Sequence, residues 1–129
     1  MAIKNQWEKR VEVFHYIYQI LMTQKSSKDI VKNAFEDYSF DANQMKIIEY
    51  YSANSNDIKG LIVQHLTENW SWDRIPYVTK AIIITAYCES KVSKLDRKII
   101  IDQALITSGK YCEAKDKKFI NAILDKIIK

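Results

Sequence analysis

The stretch NWSWDRIPYVTKAIIITAYCES, residues 69–90, decides how the rest of the chain reads. Its first seven residues show no periodicity and run into Pro76, the only proline present. Proline has no N–H to donate, and in the first turn of a helix that lack costs nothing, so Pro76 marks a helix start. The segment after it is apolar nearly all round: Val78, Ala81, Ile82, Ile83, Ile84 and Ala86. A helix with one apolar stripe packs on one side, whereas a helix apolar on every side must be surrounded. Residues Tyr77 to Glu89 are therefore expected to form the central, most buried element.

Outward from it the pattern stays helical. From about Lys4 to Thr23, Trp7, Val11, Phe14, Tyr18 and Leu21 step along one face, and Val13, Ile17 and Ile20 widen it. SSKD at 26–29 looks like a capping box opening a short helix with Ile30, Val31, Ala34, Phe35 and Tyr38. Asp41 can cap a third helix. There Ile47, Ile48, Tyr51, Ile58, Ile62, His65 and Leu66 keep phase, so the polar SANSND at 52–57 reads as the interior of one long helix. Towards the C-terminus, Leu95, Asp96 and Ile100 form a hydrophobic staple around a capping aspartate. Gly109 is expected to end that helix as a left-handed cap, and Asp116 to cap the last one, placing Phe119 at its third position. An all-β fold needs a turn residue roughly every 8–12 positions, which two glycines and one proline cannot supply. The expected fold is all-α: a compact bundle of about six helices with short connections, one domain over residues 1–129.

Composition excludes several function classes. At 47% hydrophobic residues the chain can build a core. No apolar run approaches the roughly 18 residues of a membrane span, and MAIKNQWEKR lacks the apolar centre of a signal peptide. Cys88 and Cys112 have no paired spacing and read as small hydrophobes in a reducing compartment, so the expected location is cytoplasmic. His15 and His65 lack ligand or triad partners at a telling spacing, and two glycines cannot form a phosphate-cradling loop. No enzyme, metal or cofactor is expected.

Charge is placed unevenly. Residues 91–129 carry 10 basic groups against 5 acidic, while residues 1–90 carry 10 against 11. That asymmetry suits an anionic partner, although lysine-rich helices also serve solubility alone. In KDKKFINAILDKIIK, residues 115–129, Ile120, Ile123, Leu124, Ile127 and Ile128 form a helical stripe. Phe119 sits at its edge beside Lys115, Lys117 and Lys118. Either the ring packs against a neighbouring helix or it offers a face to a ligand; spacing does not choose.

NWSWDRIPYVTKAIIITAYCES, then RKIIIDQALI, then KKFINAILDKI together resemble the NusB family of bacterial transcription antitermination factors. The marks of resemblance are Asp73–Arg74 before the helix, Tyr87-Cys88-Glu89 at its end, IDQA at 101–104 and KFINAILD at 118–125. RVEVFHYIYQ, with Arg10, Ile17 and Tyr18, is similar to the family's opening. The resemblance implies two three-helix halves and binding of boxA, a short single-stranded RNA, together with the ribosomal protein NusE. Such a complex helps RNA polymerase read through terminators, notably in ribosomal RNA operons. Carried over residue by residue, the RNA surface falls on Arg10, Tyr18, Lys118 and Phe119. The N-terminal arm adds Lys4 and Lys9, and Lys115 and Lys117 extend the charge at the other end. Thr79 stands near the surface the family uses for NusE. The same fold precedes ribosomal RNA methyltransferases, but a chain ending at Lys129 is expected to have no room for a cofactor domain. The alternative is a helical protein–protein interaction module, homodimeric in one version, with weak or lost RNA binding.

Overall fold

The helix expected at residues 77–89 is realised and sits at the centre of the bundle. The computed structural model describes residues 4–129 and contains, among them, six α-helices. These are α1 (Gln6–Thr23), α2 (Ser27–Asp37), α3 (Ala42–Gln64), α4 (Tyr77–Val92), α5 (Arg97–Tyr111) and α6 (Ala114–Ile127). A 3-10 turn, Trp72–Arg74, leads into α4, and the described residues contain no strand. Helix α4 packs against α1, α3, α5 and α6; α2 packs on α3, and α5 on α6. Every residue from Thr79 to Glu89 is buried as a result.

Two charged residues lie inside that buried run, and each is accommodated. Glu89 accepts both its hydrogen bonds from Arg10 Nε, at 2.9 and 3.0 Å, tying α4 to α1. Lys80 lies with Nζ 4.5 Å from the ring centre of Trp72 and 4.9 Å from that of Tyr77, where the negative ring faces take the place of water. Isoleucine supplies most of the rest: Ile17, Ile48, Ile62, Ile83, Ile100 and Ile120 are essentially inaccessible. Each such side chain contributes roughly 1.5–3 kcal/mol of burial free energy.

Polar links set the helix registers. The Tyr16 hydroxyl donates to the Ile30 carbonyl at 2.6 Å, joining α1 to α2, and burial pushes its pKa up to about 12. Trp7 Nε1 donates to Thr107 Oγ1 at 3.1 Å across α1 and α5. Arg97 donates to Asp125 Oδ1 and to the Asp125 and Ile128 carbonyls, closing α5 onto the end of α6.

Several local expectations are corrected. Ser26 does not cap α2 through its side chain; the hydroxyl donates to Asp29 Oδ2 at 3.0 Å instead. The unbroken helix expected through residues 52–57 is not realised: α3 is two helical segments joined across a kink at Asn54, whose φ of −129° leaves the helical region while its side-chain amide donates to the Tyr50 carbonyl. Gly109 does not end α5; the helix runs two residues further, to Tyr111, and neither glycine has a positive φ. The left-handed cap is Gln24, with φ 53°, at the end of α1. Asp116 is not the cap of α6: the helix starts one turn earlier, with Glu113 as N-cap. Asp96 does cap α5, accepting from the Lys98 N–H, while Leu95 stays largely exposed.

Asp41 caps α3 in a reciprocal capping box with Gln44 and meets Lys9 Nζ at 3.0 Å. Burial pushes its pKa up, but the Gln44 N–H and Lys9 outweigh that and hold the carboxyl below its ordinary value. A carboxylate with a depressed folded-state pKa contributes stability above its unfolded pKa, and that contribution is lost as pH falls through the folded value. Asp41→Asn is therefore expected to be less stable than the parent at pH 7, with the gap closing below about pH 4. Denaturant titrations of both proteins at a series of pH values check this.

Candidate nucleic-acid interface

The start of α6 carries Lys115, Lys117 and Lys118 on its exposed side, while Ile120, Ile123, Leu124 and Ile127 face the core. Phe119 lies at the boundary and is half-buried. Its ring stacks on Trp70, with centroids 4.3 Å apart and planes 25° apart. Neither reading offered by spacing is complete, because the ring packs against a loop tryptophan rather than a helix. That loop is braced by its own turns: Trp70 N–H to the Thr67 carbonyl, Arg74 N–H to Ser71, and Ile75 N–H to Trp72. Buried Ile75 anchors it to the core.

Between this loop and the α5–α6 connection runs a groove of about 490 Å³, with Asn69, Trp70 and Arg74 on one side and Tyr111, Lys115 and Asp116 on the other. Tyr111 extends the aromatic surface towards α1, lying 5.3 Å from Phe14 and 5.4 Å from His15 between ring centres. Lys110 Nζ sits 5.1 Å over Trp7 and 5.6 Å over Tyr111. Burial, and then the Lys110 charge, lowers the His15 pKa, so the imidazole is neutral at pH 7.

The residues expected on α1 are placed differently. Lys4 pairs with Glu12, Lys9 with Asp41, and Arg10 with Glu89. The first two pairs are partly exposed, whereas the Arg10 side chain is only 15% exposed. Tyr18 is half-buried against the core. None of these four lines the groove at α6. Thr79 is corrected as a partner contact: it has no exposed surface, and its hydroxyl lies 3.8 Å from Cys112 Sγ. Cys88 and Cys112 are free thiols. Burial raises both pKa values, and for Cys112 the Thr79 hydrogen bond opposes the rise while Asp116 adds to it.

Sequence reasoning missed Trp70, Tyr111, Lys110 and Asp116. The available signal was NWSW, a pair of tryptophans in a polar stretch with no helical phase to bury them.

Comparison with known proteins places this geometry. The model of the NusB family matches residues 8–129. The chain belongs to the NusB family. It is 30% identical to the transcription antitermination protein NusB of Borrelia garinii subsp. bavariensis, over 95% of this chain and 92% of that one. The NusB of Borreliella burgdorferi is 32% identical with the same coverage. Among solved structures, T. maritima NusB superposes with a TM-score of 0.82 at 24% identity, covering 98% of this chain and 92% of the other. A conserved hypothetical protein from Mycoplasma genitalium, described as structurally homologous to NusB proteins, gives 0.70 at 21% identity, covering 89% of this chain and 92% of that chain. As a NusB-family transcription antitermination factor the chain is not an enzyme.

Proposed function

We propose that this NusB-family chain, working as one cytoplasmic domain, binds boxA-type single-stranded RNA together with the ribosomal protein NusE. In the elongation complex it then promotes read-through by RNA polymerase, notably in ribosomal RNA operons. One observation carries the RNA half of this reading: the Trp70–Phe119 stack, flanked by exposed Lys115, Lys117 and Lys118. Proteins hold single strands by stacking unpaired bases on aromatic rings and by running cations along the phosphates. Phe119 lies in the second turn of α6, the sixth residue after the Glu113 cap, so the ring pair and the three exposed lysines carry both tasks.

Lys4 and Lys9 join as outlying phosphate contacts, because partly exposed ion pairs are weak and a phosphate competes for the ammonium. Arg10 and Tyr18 then act chiefly by positioning α1.

The pairing of Lys4, Lys9 and Arg10 with acids favours a second reading, an interaction module, in one version homodimeric, with weak RNA affinity. A mobility-shift titration with boxA-type RNA, with and without NusE, separates the two. RNA binding strengthened by NusE supports antitermination through boxA; no shift under either condition at low salt favours the module. With phosphate contacts from the three α6 lysines and from Lys4 and Lys9, the log–log salt slope is expected near −3.5. Affinity should then fall on the order of a hundredfold between about 50 and 200 mM salt. A flat salt dependence would remove the lysines from the interface.

A further inference from the structure

Lys80 is an unexpected residue for the central helix. It stands beside buried Thr79, Ala81, Ile82 and Ile83 and is only 5% exposed. Among the described residues its ammonium makes no ion pair. Its neighbours are instead the ring faces of Trp72 and Tyr77, at 4.5 and 4.9 Å. Buried ammonium groups normally meet a carboxylate, because desolvating an unpaired charge is costly. Nor is Nζ sealed in. Asp116 Oδ1 alone, among buried side-chain nitrogens and oxygens of the described residues, lacks both surface and a partner. Nζ has no hydrogen-bond partner either, so it keeps some surface, and that surface opens onto a groove.

The groove, of about 350 Å³, runs between α3 and the 3-10 turn before α4. Lys59 and Asn56 line it from α3, Asp73 from the turn, and Gln24 from the end of α1. The titratable groups facing Lys80 are therefore Lys59, Asp73, Tyr51 and Tyr77. Burial holds the Lys80 amine below its ordinary pKa; Asp73 opposes that shift and Lys59 adds to it. More of this lysine than of an exposed one is then free amine, the nucleophilic form.

The narrow opening and aromatic walls select the electrophile. A bulky acyl donor cannot reach Nζ, and Asp73 offsets the attraction of Lys59 for an anionic one. Carbon dioxide is small, linear and uncharged, and meets neither barrier. The Nζ lone pair adds to its carbon, a C–N bond forms, and one C=O electron pair moves onto oxygen. The nitrogen then releases a proton to water, with the Asp73 carboxylate at hand to relay it. Nothing is oxidised or reduced and no group leaves. The product is a carbamate, whose two oxygens extend beyond the rings into the groove. There the Lys59 ammonium and the Asn56 amide supply donors.

We infer that Lys80 is a carbon dioxide site, its amine reversibly forming a carbamate whose oxygens pair with Lys59 and Asn56. RNA binding plays no part in this chemistry.

The test equilibrates the full chain with isotopically labelled bicarbonate and dissolved carbon dioxide at about pH 8. Carbamates are then trapped as ethyl esters with triethyloxonium and mapped by peptide mass spectrometry. The α-amino group, whose ordinary pKa is about 8, forms a carbamate readily and serves as internal reference. Lys80 should carry several-fold more adduct than exposed Lys117 or Lys118. Lys80→Arg keeps a cation against Trp72 and Tyr77 but stays protonated, so it should lose this adduct and retain that of the α-amino group. Lys59→Met should lower the Lys80 adduct roughly two- to fivefold, the loss expected for a partly exposed ion pair. Adduct on the α-amino group with none on Lys80, or equal adduct on Lys80 and Lys117, overturns the site. An unchanged Lys80 adduct in Lys59→Met overturns the pairing with Lys59. Should Lys80→Arg fail to fold, the peptide map of the parent decides alone.

Discussion

Phe119→Ala is expected to weaken boxA-type RNA binding by roughly 5- to 150-fold, the loss typical of removing one base–aromatic stacking platform. The ring is only half-buried and its main neighbour is Trp70, 4.3 Å away in the loop before α4. Its folding contribution is therefore an aromatic pair interaction plus partial burial, about 1–2 kcal/mol. Were Phe119 a core residue, truncation would leave a cavity and cost about 3–5 kcal/mol of stability. A melting curve beside an RNA titration shows which quantity moves. Lys118→Ala serves as control: it should make the salt slope shallower by about 0.7 and leave the melting temperature unchanged. A Phe119→Ala protein that unfolds, paired with a Lys118→Ala protein that binds RNA normally, would put the RNA face elsewhere.

The second large effect belongs to Arg10 and Glu89. Their side chains are 15% and 10% exposed, and the pair joins α1 to the central helix. Removing one partner leaves the other charge in a water-poor site. Fully buried pairs lose about 3–5 kcal/mol in that way, so about 2–3 kcal/mol suits a pair that keeps some solvent. Glu89→Ala and Arg10→Ala should each lower the melting temperature by roughly 10 °C for a chain of this size. The double variant should cost less than the sum of the singles, because the second substitution removes the stranded charge. RNA affinity of Arg10→Ala, measured well below melting, should change less than threefold. A loss of RNA binding without a loss of stability would return Arg10 to the RNA surface.

Phe119 and Arg10 mark where sequence was informative and where it was not. The position of α4 was legible because burial on every side demands apolar residues on every side, and a surface helix has no use for a run such as AIIITAY, residues 81–87. Asp41 and Asp96 were legible as caps because a cap is a local contact, complete within four residues. Gly109 misled because a glycine is permitted but not required to end a helix, and the buried Ile100–Ile101–Ala104 face carries α5 past it. Arg10 misled for a different reason. Its partner, Glu89, is distant in sequence, and a long-range ion pair leaves no periodic trace. The same holds for the site. KFINAILD announced Phe119, but nothing local to α6 could announce Trp70, which arrives from the loop before α4.

That arrangement also gives the molecule a spectroscopic handle. The chain has three tryptophans, and each indole sits in different surroundings. Trp7 is fixed by Thr107 and Lys110, and Trp72 lies beneath Lys59 and Lys80. Trp70 alone lines the groove at α6. Intrinsic emission on filling that groove would thus come from one fluorophore against two constant ones, so occupancy can be followed on the unlabelled protein, and a Trp70→Phe variant would silence the signal while keeping a ring against Phe119.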